Sequence, residues 1–150
     1  MGNMTNHFQL RFLSVPENVG LARLAVSHMA SQAGFSVSEL EEIKVAVSEA
    51  VSNAVIHGYP GRRDGWILVE CQIGEGDFWV AVEDWGVGIG DVELARQPAF
   101  SSDPERMGLG FVFMESFMHQ VTVRSQLRRG TRVEMSRKPG KPEALTQDAQ

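Results

Sequence analysis

Phe8, Leu10 and Phe12 alternate with polar neighbours in HFQLRFL (7–13), the period-two pattern of a half-buried strand. Ser14, Pro16 and Glu17 follow with capping-box spacing and a proline in the first turn, which predicts a helix starting near Pro16. Leu21, Leu24, Ala25, His28 and Met29 keep helical spacing, and Gly34 is placed to stop that helix. Ser38 and Glu41 repeat the capping-box signal. Leu40, Ile43, Val47, Val51 and Ala54 then form an apolar stripe, so residues 38–57 read as the longest and most regular helix, ended by Gly58. The segment YPGRRDG (59–65) is turn chemistry.

Residues 66–73 and 78–84 are rich in β-branched and aromatic side chains, and Gly74-Glu75-Gly76-Asp77 joins them as a hairpin. A short helix is expected over 91–97, and a third long helix over 108–119 opens directly on a glycine pair. Residues 121–126 and 131–136 form a second hairpin through Leu127-Arg128-Arg129-Gly130. The order β-α-α-ββ-loop-α-ββ keeps helices and strands in separate runs. It predicts an α+β two-layer α/β sandwich, with helices on one face of a mixed, mostly antiparallel sheet.

Composition narrows the class. The chain has 150 residues, 43% of them hydrophobic. That is too apolar for a self-solvating disordered chain and long enough for one domain with its own core. Cys71 is the only cysteine, so no internal disulfide can form. No stretch approaches a membrane span, and residues 1–7 are polar. The expectation is a soluble, cytoplasmic protein: one domain over 1–136, followed by an unstructured tail over 137–150. With 19 acidic against 14 basic residues, the net charge is -5, which disfavours a broad nucleic-acid surface.

Three groups of residues carry candidate chemistry. Glu49, Asn53 and His57 stand four apart, and each step turns a helix by only about 40°, so they form one polar ridge. Such a ridge alone reads as a solvated face. This one has no lysine or arginine to make an ion-pair ladder, and its flank carries the small residues Ala46, Ala50, Ser52 and Ala54. Asp84-Trp85-Gly86-Val87-Gly88-Ile89-Gly90 ends a strand and reads either as a tight connection or as a loop that lets a ligand approach the backbone. It lacks the early βαβ context of a dinucleotide fingerprint and the Gly-Lys-Ser/Thr of a P-loop. The aspartate at its head suits an exocyclic amino group. Gly108-Leu109-Gly110 opens the third helix, where free N–H groups suit phosphate oxygens, and Arg106 could add a charge-assisted contact. The preceding stretch PAFSSDPERM (98–107) has the composition of a mobile lid.

The order of these pieces is more specific than any one of them. Glu-x-x-x-Asn on a helix, Asp-x-Gly-x-Gly after a strand, a loop, Gly-x-Gly at a helix start and Gly130-Thr131 together resemble the GHKL superfamily. Its ATP-binding (Bergerat) fold is shared by gyrase, Hsp90, histidine kinases and MutL. Within it, EIKVAVSEAVSNAVIHGY (42–59), DWGVGIGDVELARQPAF (84–100) and GLGFVFMESFMHQVTV (108–123) are similar to the small bacterial anti-sigma factors with serine kinase activity, nearest to the sporulation anti-sigma F type. The resemblance spans about residues 8–135. It departs in the lid, where 101–107 is shorter than the family's usual loop.

The resemblance implies a role for each matching residue. Glu49 would be the general base on a serine hydroxyl, and Asn53 a ligand of Mg²⁺. Asp84 would accept from the adenine amino group, with Gly86 and Gly88 in the adjoining loop and Thr131 near the base. Gly108, Leu109 and Gly110 would face the phosphates, and Arg106 would contact the phosphate tail. His57 matches the motif as either a ligand contact or a hydrogen-bonded helix-end residue. Arg23 reads as a partner contact or a solvated arginine. The implied function is an anti-sigma factor that sequesters an RNA polymerase sigma factor. It would use ATP and Mg²⁺ to phosphorylate a serine on its antagonist protein, and would act as a homodimer. The alternative is a sigma-binding module that holds ATP without transferring phosphate; retention of Glu49 argues against it. A histidine-kinase catalytic fragment and a gyrase- or MutL-type ATPase are less expected, because neither a phospho-acceptor helix nor a transducer domain reads from this chain.

Overall fold

The structure is a computed structural model that describes residues 3–97 and 107–140. Most of the expected lid (98–106, with Arg106) and the end of the expected tail (141–150) lie outside the described residues. Strand β1 (Met4–Leu13) leads to helices α1 (Glu17–Ala30) and α2 (Val37–Asn53). Hairpin β2 (Trp66–Gly74) and β3 (Asp77–Asp84) follows, then α3 (Val92–Ala95), α4 (Met107–Phe117) and hairpin β4 (Gln120–Gln126) and β5 (Gly130–Arg137). The five strands lie in the order β1-β2-β3-β5-β4. All four pairings are antiparallel, so the α+β two-layer expectation holds and the sheet is more uniform than the mixed one anticipated.

Alternation along the strands builds the core. Ile67, Val69, Cys71 and Ile73 on β2, Phe78, Val80 and Val82 on β3, and Val133 and Met135 on β5 point under the helices and are buried. Ile43, Val47 and Val51 of α2 and Phe111 and Met114 of α4 meet them. The opposite face of the sheet carries a half-buried ionic cluster. There Arg132 reaches Glu70 at 3.1 Å, Glu83 at 2.8 Å and Glu134 at 2.8 Å.

Both capping expectations change. The reciprocal box forms at Ser36 and Glu39, two residues earlier than expected: the Ser36 hydroxyl accepts from Glu39 N at 3.1 Å, and Ser36 N donates to the Glu39 carboxylate at 2.9 Å. Ser36-x-x-Glu39 and Ser38-x-x-Glu41 both fit the motif; burial of Phe35, packed edge-on against Phe78 at 5.8 Å, sets which one caps. At α1 no side-chain cap forms. Ser14 is buried and committed elsewhere, donating to Arg62 O at 2.9 Å and accepting from Gly65 N at 3.1 Å.

The phase of α1 also differs. Ala22, Val26, Met29 and Ala30 face the core, while Leu21 and Leu24 are exposed. Both sets fit helical spacing, and the smaller side chains let α1 approach α2 and the sheet closely. Arg23 is exposed and donates to the Ser48 hydroxyl at 3.1 Å. At the far end of the chain, Arg137 belongs to β5. It ties that strand to the start of α2 through Glu42 at 2.9 Å and Glu39 at 3.5 Å.

Replacing Ser14 with alanine should cost about 1–3 kcal/mol in urea denaturation, because it strands the buried Gly65 N–H and the partly buried Arg62 carbonyl. Replacing Glu17, whose ion pair among the described residues is with Arg63 at 3.7 Å on the surface, should stay within about 0.5 kcal/mol. A capping box at 14–17 would instead make the two losses comparable.

Candidate functional site

Four chain segments converge at one end of the sheet: the last turns of α2, the end of β3 with the loop after it, the start of α4 and the start of β5. They border a narrow crevice whose lining includes Asn53, His57, Asp84, Gly88 and Thr131. The α-helix ends at Asn53, four residues short of the expected His57, and continues as one π-helical turn, Ala54–Gly58. The wider turn brings Gly58 against Asp84: a Cβ on Gly58 would lie 2.8 Å from the Asp84 carboxyl carbon.

Asp84 is 5% exposed. Its carboxylate accepts from Gly86 N at 2.9 Å and from the backbone N–H of Thr131. Burial pushes its pKa up from an ordinary 3.8 to about 6, against the pull of those two N–H groups. The strand end that presents it is clamped by Tyr59, whose hydroxyl donates to Trp66 O at 2.7 Å and accepts from Trp85 N at 2.8 Å. Val87 N donates to Gly58 O at 2.9 Å and closes the same corner.

The glycines of the loop serve close approach between chain segments. A Cβ on Gly86 would lie 1.8 Å from Gly58 O. Gly88, at φ +74°, would place one 2.1 Å from Gln126 O. Of the two, Gly88 lines the crevice. Gly108 packs against Gln97 O in the same way, with 1.8 Å left for a Cβ.

Gly110 carries α4 past the polar ridge of α2. A Cβ there would stand 2.9 Å from Glu49 Oε1 and 3.4 Å from Asn53 Nδ2. Ala46, Ala50 and Ala54, read from sequence as room beside the ridge, are buried. Glu49 is half-buried, and that burial raises its pKa above the ordinary glutamate value. Among the described residues, Asn53 Nδ2 is buried without a hydrogen-bond partner. Leu109 points outward, 39% exposed.

The structure brings Asn53, Asp84, Gly88 and Thr131 together in the lining of one crevice; Glu49 and Gly110 meet beside Asn53, while Gly86 packs on Gly58 and Gly108 on Gln97. Arg106 lies outside the described residues. Sequence reasoning missed Gly58, Tyr59 and Ser125. Gly58-Tyr59-Pro60 read as turn punctuation, and a serine in a strand carries no local signal.

Comparison with known proteins identifies the family. Residues 12–137 match the histidine kinase-like ATPase domain family. The anti-sigma F factor of Clostridium novyi is 44% identical over 135 residues, 89% of this chain and 94% of that protein. The anti-sigma F factor of Geobacillus kaustophilus is 42% identical over 144 residues, 95% of this chain and 99% of that protein. A crystal structure of RsbU and RsbW domains from Mycobacterium tuberculosis superposes with a TM-score of 0.65 at 20% identity. It covers 92% of this chain, which spans a third (33%) of that one, and it speaks for the fold alone. The chain belongs to the histidine kinase-like ATPase family and, within it, to the anti-sigma F factors. Membership of that ATPase family implies a nucleotide-binding site. No helix among the described residues is long and apolar enough to cross a membrane.

The raised pKa of Asp84 has a definite sign in stability. The folded state holds that proton more tightly than the unfolded chain, so the contribution is complete below pH 3.8 and lost as pH rises through about 6. The loss is on the order of 3 kcal/mol. Asp84→Asn should lack this component. In nucleotide-free urea titrations from pH 4 to 7, the variant should gain on the wild type as pH rises, and parallel profiles would contradict the assignment.

Proposed function

We propose that this anti-sigma factor binds ATP with Mg²⁺ in the crevice, phosphorylates a serine of a protein antagonist, and sequesters a sigma factor until that antagonist displaces it. The observation that carries the kinase reading is the juxtaposition at Gly110, where the first turn of α4 lies against both the Glu49 carboxylate and the Asn53 amide. A helix start is where phosphate oxygens are held, so a base and a neutral oxygen ligand stand beside the reacting end.

Asn53 fits a magnesium ligand by chemistry. Its amide oxygen is a hard donor, its Nδ2 has no partner among the described residues, and Mg²⁺ takes few protein ligands, leaving the rest to water and phosphate. When bound, the ion would offset charge on the phosphates. Asp84 would accept from the adenine amino group, with Thr131 beside it and Gly86 and Gly88 shaping the turn. Gly108, Leu109 and Gly110 would present backbone N–H groups to the phosphates, and Arg106 would reach the phosphate tail.

In the chemical step, Glu49 takes the proton of the serine hydroxyl as the serine oxygen bonds to the γ-phosphorus. The bond from that phosphorus to the β–γ bridging oxygen breaks, and its electron pair leaves with ADP. The products are phosphoserine, ADP and a protonated Glu49. Burial of Glu49 supports the role, since a carboxylate with a raised pKa is a stronger base nearer neutral pH. The names of the relatives support a sigma factor as the sequestered partner and sporulation as the setting. A homodimer acting in the cytoplasm completes the proposal.

Radiolabelled phosphate transfer from ATP to the antagonist encoded by the same organism tests it. Glu49→Gln should keep nucleotide affinity and lose about 10²–10⁴-fold in transfer. Equal transfer by both proteins would remove Glu49 from the role. Absence of transfer by the wild type, with ATP and sigma binding intact, would leave a sequestering module.

A further inference from the structure

Ser125, on β4, is not among the residues lining the crevice but touches two that are. Its Oγ lies 2.7 Å from Ile89 N, 3.0 Å from Gly130 O and 2.7 Å from Thr131 Oγ1. A serine hydroxyl offers one proton and two lone pairs. The Ile89 N–H can only donate and takes one lone pair. The Gly130 carbonyl can only accept and takes the proton. Thr131 must then donate to the remaining lone pair. With all three bonds made, the Thr131 proton is turned back toward Ser125, and the lone pair left on its oxygen can only accept.

Asp84 stands beside it as a second acceptor, fixed in part by the Thr131 backbone N–H. Two neighbouring acceptors suit an amino group, which brings two N–H donors. They repel a carbonyl oxygen, which would meet two acceptors with no proton between them. We propose that Ser125 is a positioning residue for base selection: by holding the Thr131 hydroxyl as an acceptor beside Asp84, it makes the crevice prefer a purine with a 6-amino group over its 6-oxo counterpart. This rests on the reading of the crevice as an adenine-nucleotide site. Ser125 acts through Thr131, and through Ile89 it also holds the turn after Gly88.

The test is calorimetric titration of the full chain with ADP and with IDP, its 6-oxo analogue, in the presence of Mg²⁺. Wild type should prefer ADP. Ser125→Ala frees the Thr131 hydroxyl to rotate and donate to a 6-oxo group. The ADP:IDP affinity ratio should fall by roughly tenfold, the size of one neutral hydrogen bond. Ser125→Thr keeps the hydroxyl and should restore the ratio. A purely structural role would weaken both ligands alike, and an unchanged ratio in Ser125→Ala would overturn the proposal while leaving the adenine site standing. If Ser125→Ala fails to fold, Thr131→Val decides: it removes the acceptor while leaving the bonds of Ser125 to Ile89 and Gly130, and a wild-type ratio there overturns the proposal. A wild type that binds neither nucleotide, or both equally, overturns the adenine reading and this inference together.

Discussion

A carboxylate held nine-tenths out of water needs donors, and the corner of this molecule around Asp84 is organised to supply them. Gly86 N–H comes from the loop that follows it, and Thr131 N–H from the neighbouring strand. Both reach it because glycines stand wherever backbones converge. Gly58 lies under the carboxyl group, Gly86 lies on the carbonyl of Gly58, and Gly130, at φ +107°, would set a Cβ 2.0 Å from Asp84 O. An added Cβ at any of the three would force segments apart and leave the carboxylate short of donors. Burial still wins part of the contest, which is why the group retains a raised pKa of about 6.

That corner depends in turn on the antiparallel sheet. β3 lies at the centre, with β2 and β5 on either side, so the end of β3 is supported from both flanks. Register puts Asp84 opposite Ile67 on one side and Thr131 on the other. Because inward-facing positions repeat every two residues, the alternation that buries Phe78, Val80 and Val82 also delivers Asp84 to the inner face at the rim of the core. The same register turns Glu83 and Arg132 outward into the ionic cluster. The helical layer supplies the second wall. Small residues on α2 let α4 settle close, and Gly110 removes the last obstacle between α4 and the polar ridge.

Much of the architecture was legible in local pattern. Two hairpins, three long helices and the short helix at 92–95 follow from period-two and period-3.6 alternation with glycine punctuation, because those signals act over neighbours in sequence. The ordered motifs pointed to the nucleotide-binding family for a related reason: Glu49, Asn53 and Asp84 sit on regular elements whose phase the sequence makes plain. Reading failed where two local solutions were nearly equal. Ser36 and Ser38 both satisfy the capping box, and Leu21-Leu24 and Ala22-Val26 both make a helical face. Packing of Phe35 on Phe78 and of α1 on α2 broke those ties.

The chain's own residues determined which elements form, in which order, and which carboxylates and glycines lie at their ends; these are consequences of propensity and spacing. Tertiary structure alone decided how the ends meet. The π-helical turn at 54–58, the Tyr59 hydroxyl bridging Trp66 and Trp85, and Ser125 joining Ile89, Gly130 and Thr131 each link positions that are distant in the chain or shaped by an irregular turn. A hydrogen bond between residues 36 apart leaves no periodic trace, because its partners are chosen by the approach of two surfaces and not by the geometry of one segment.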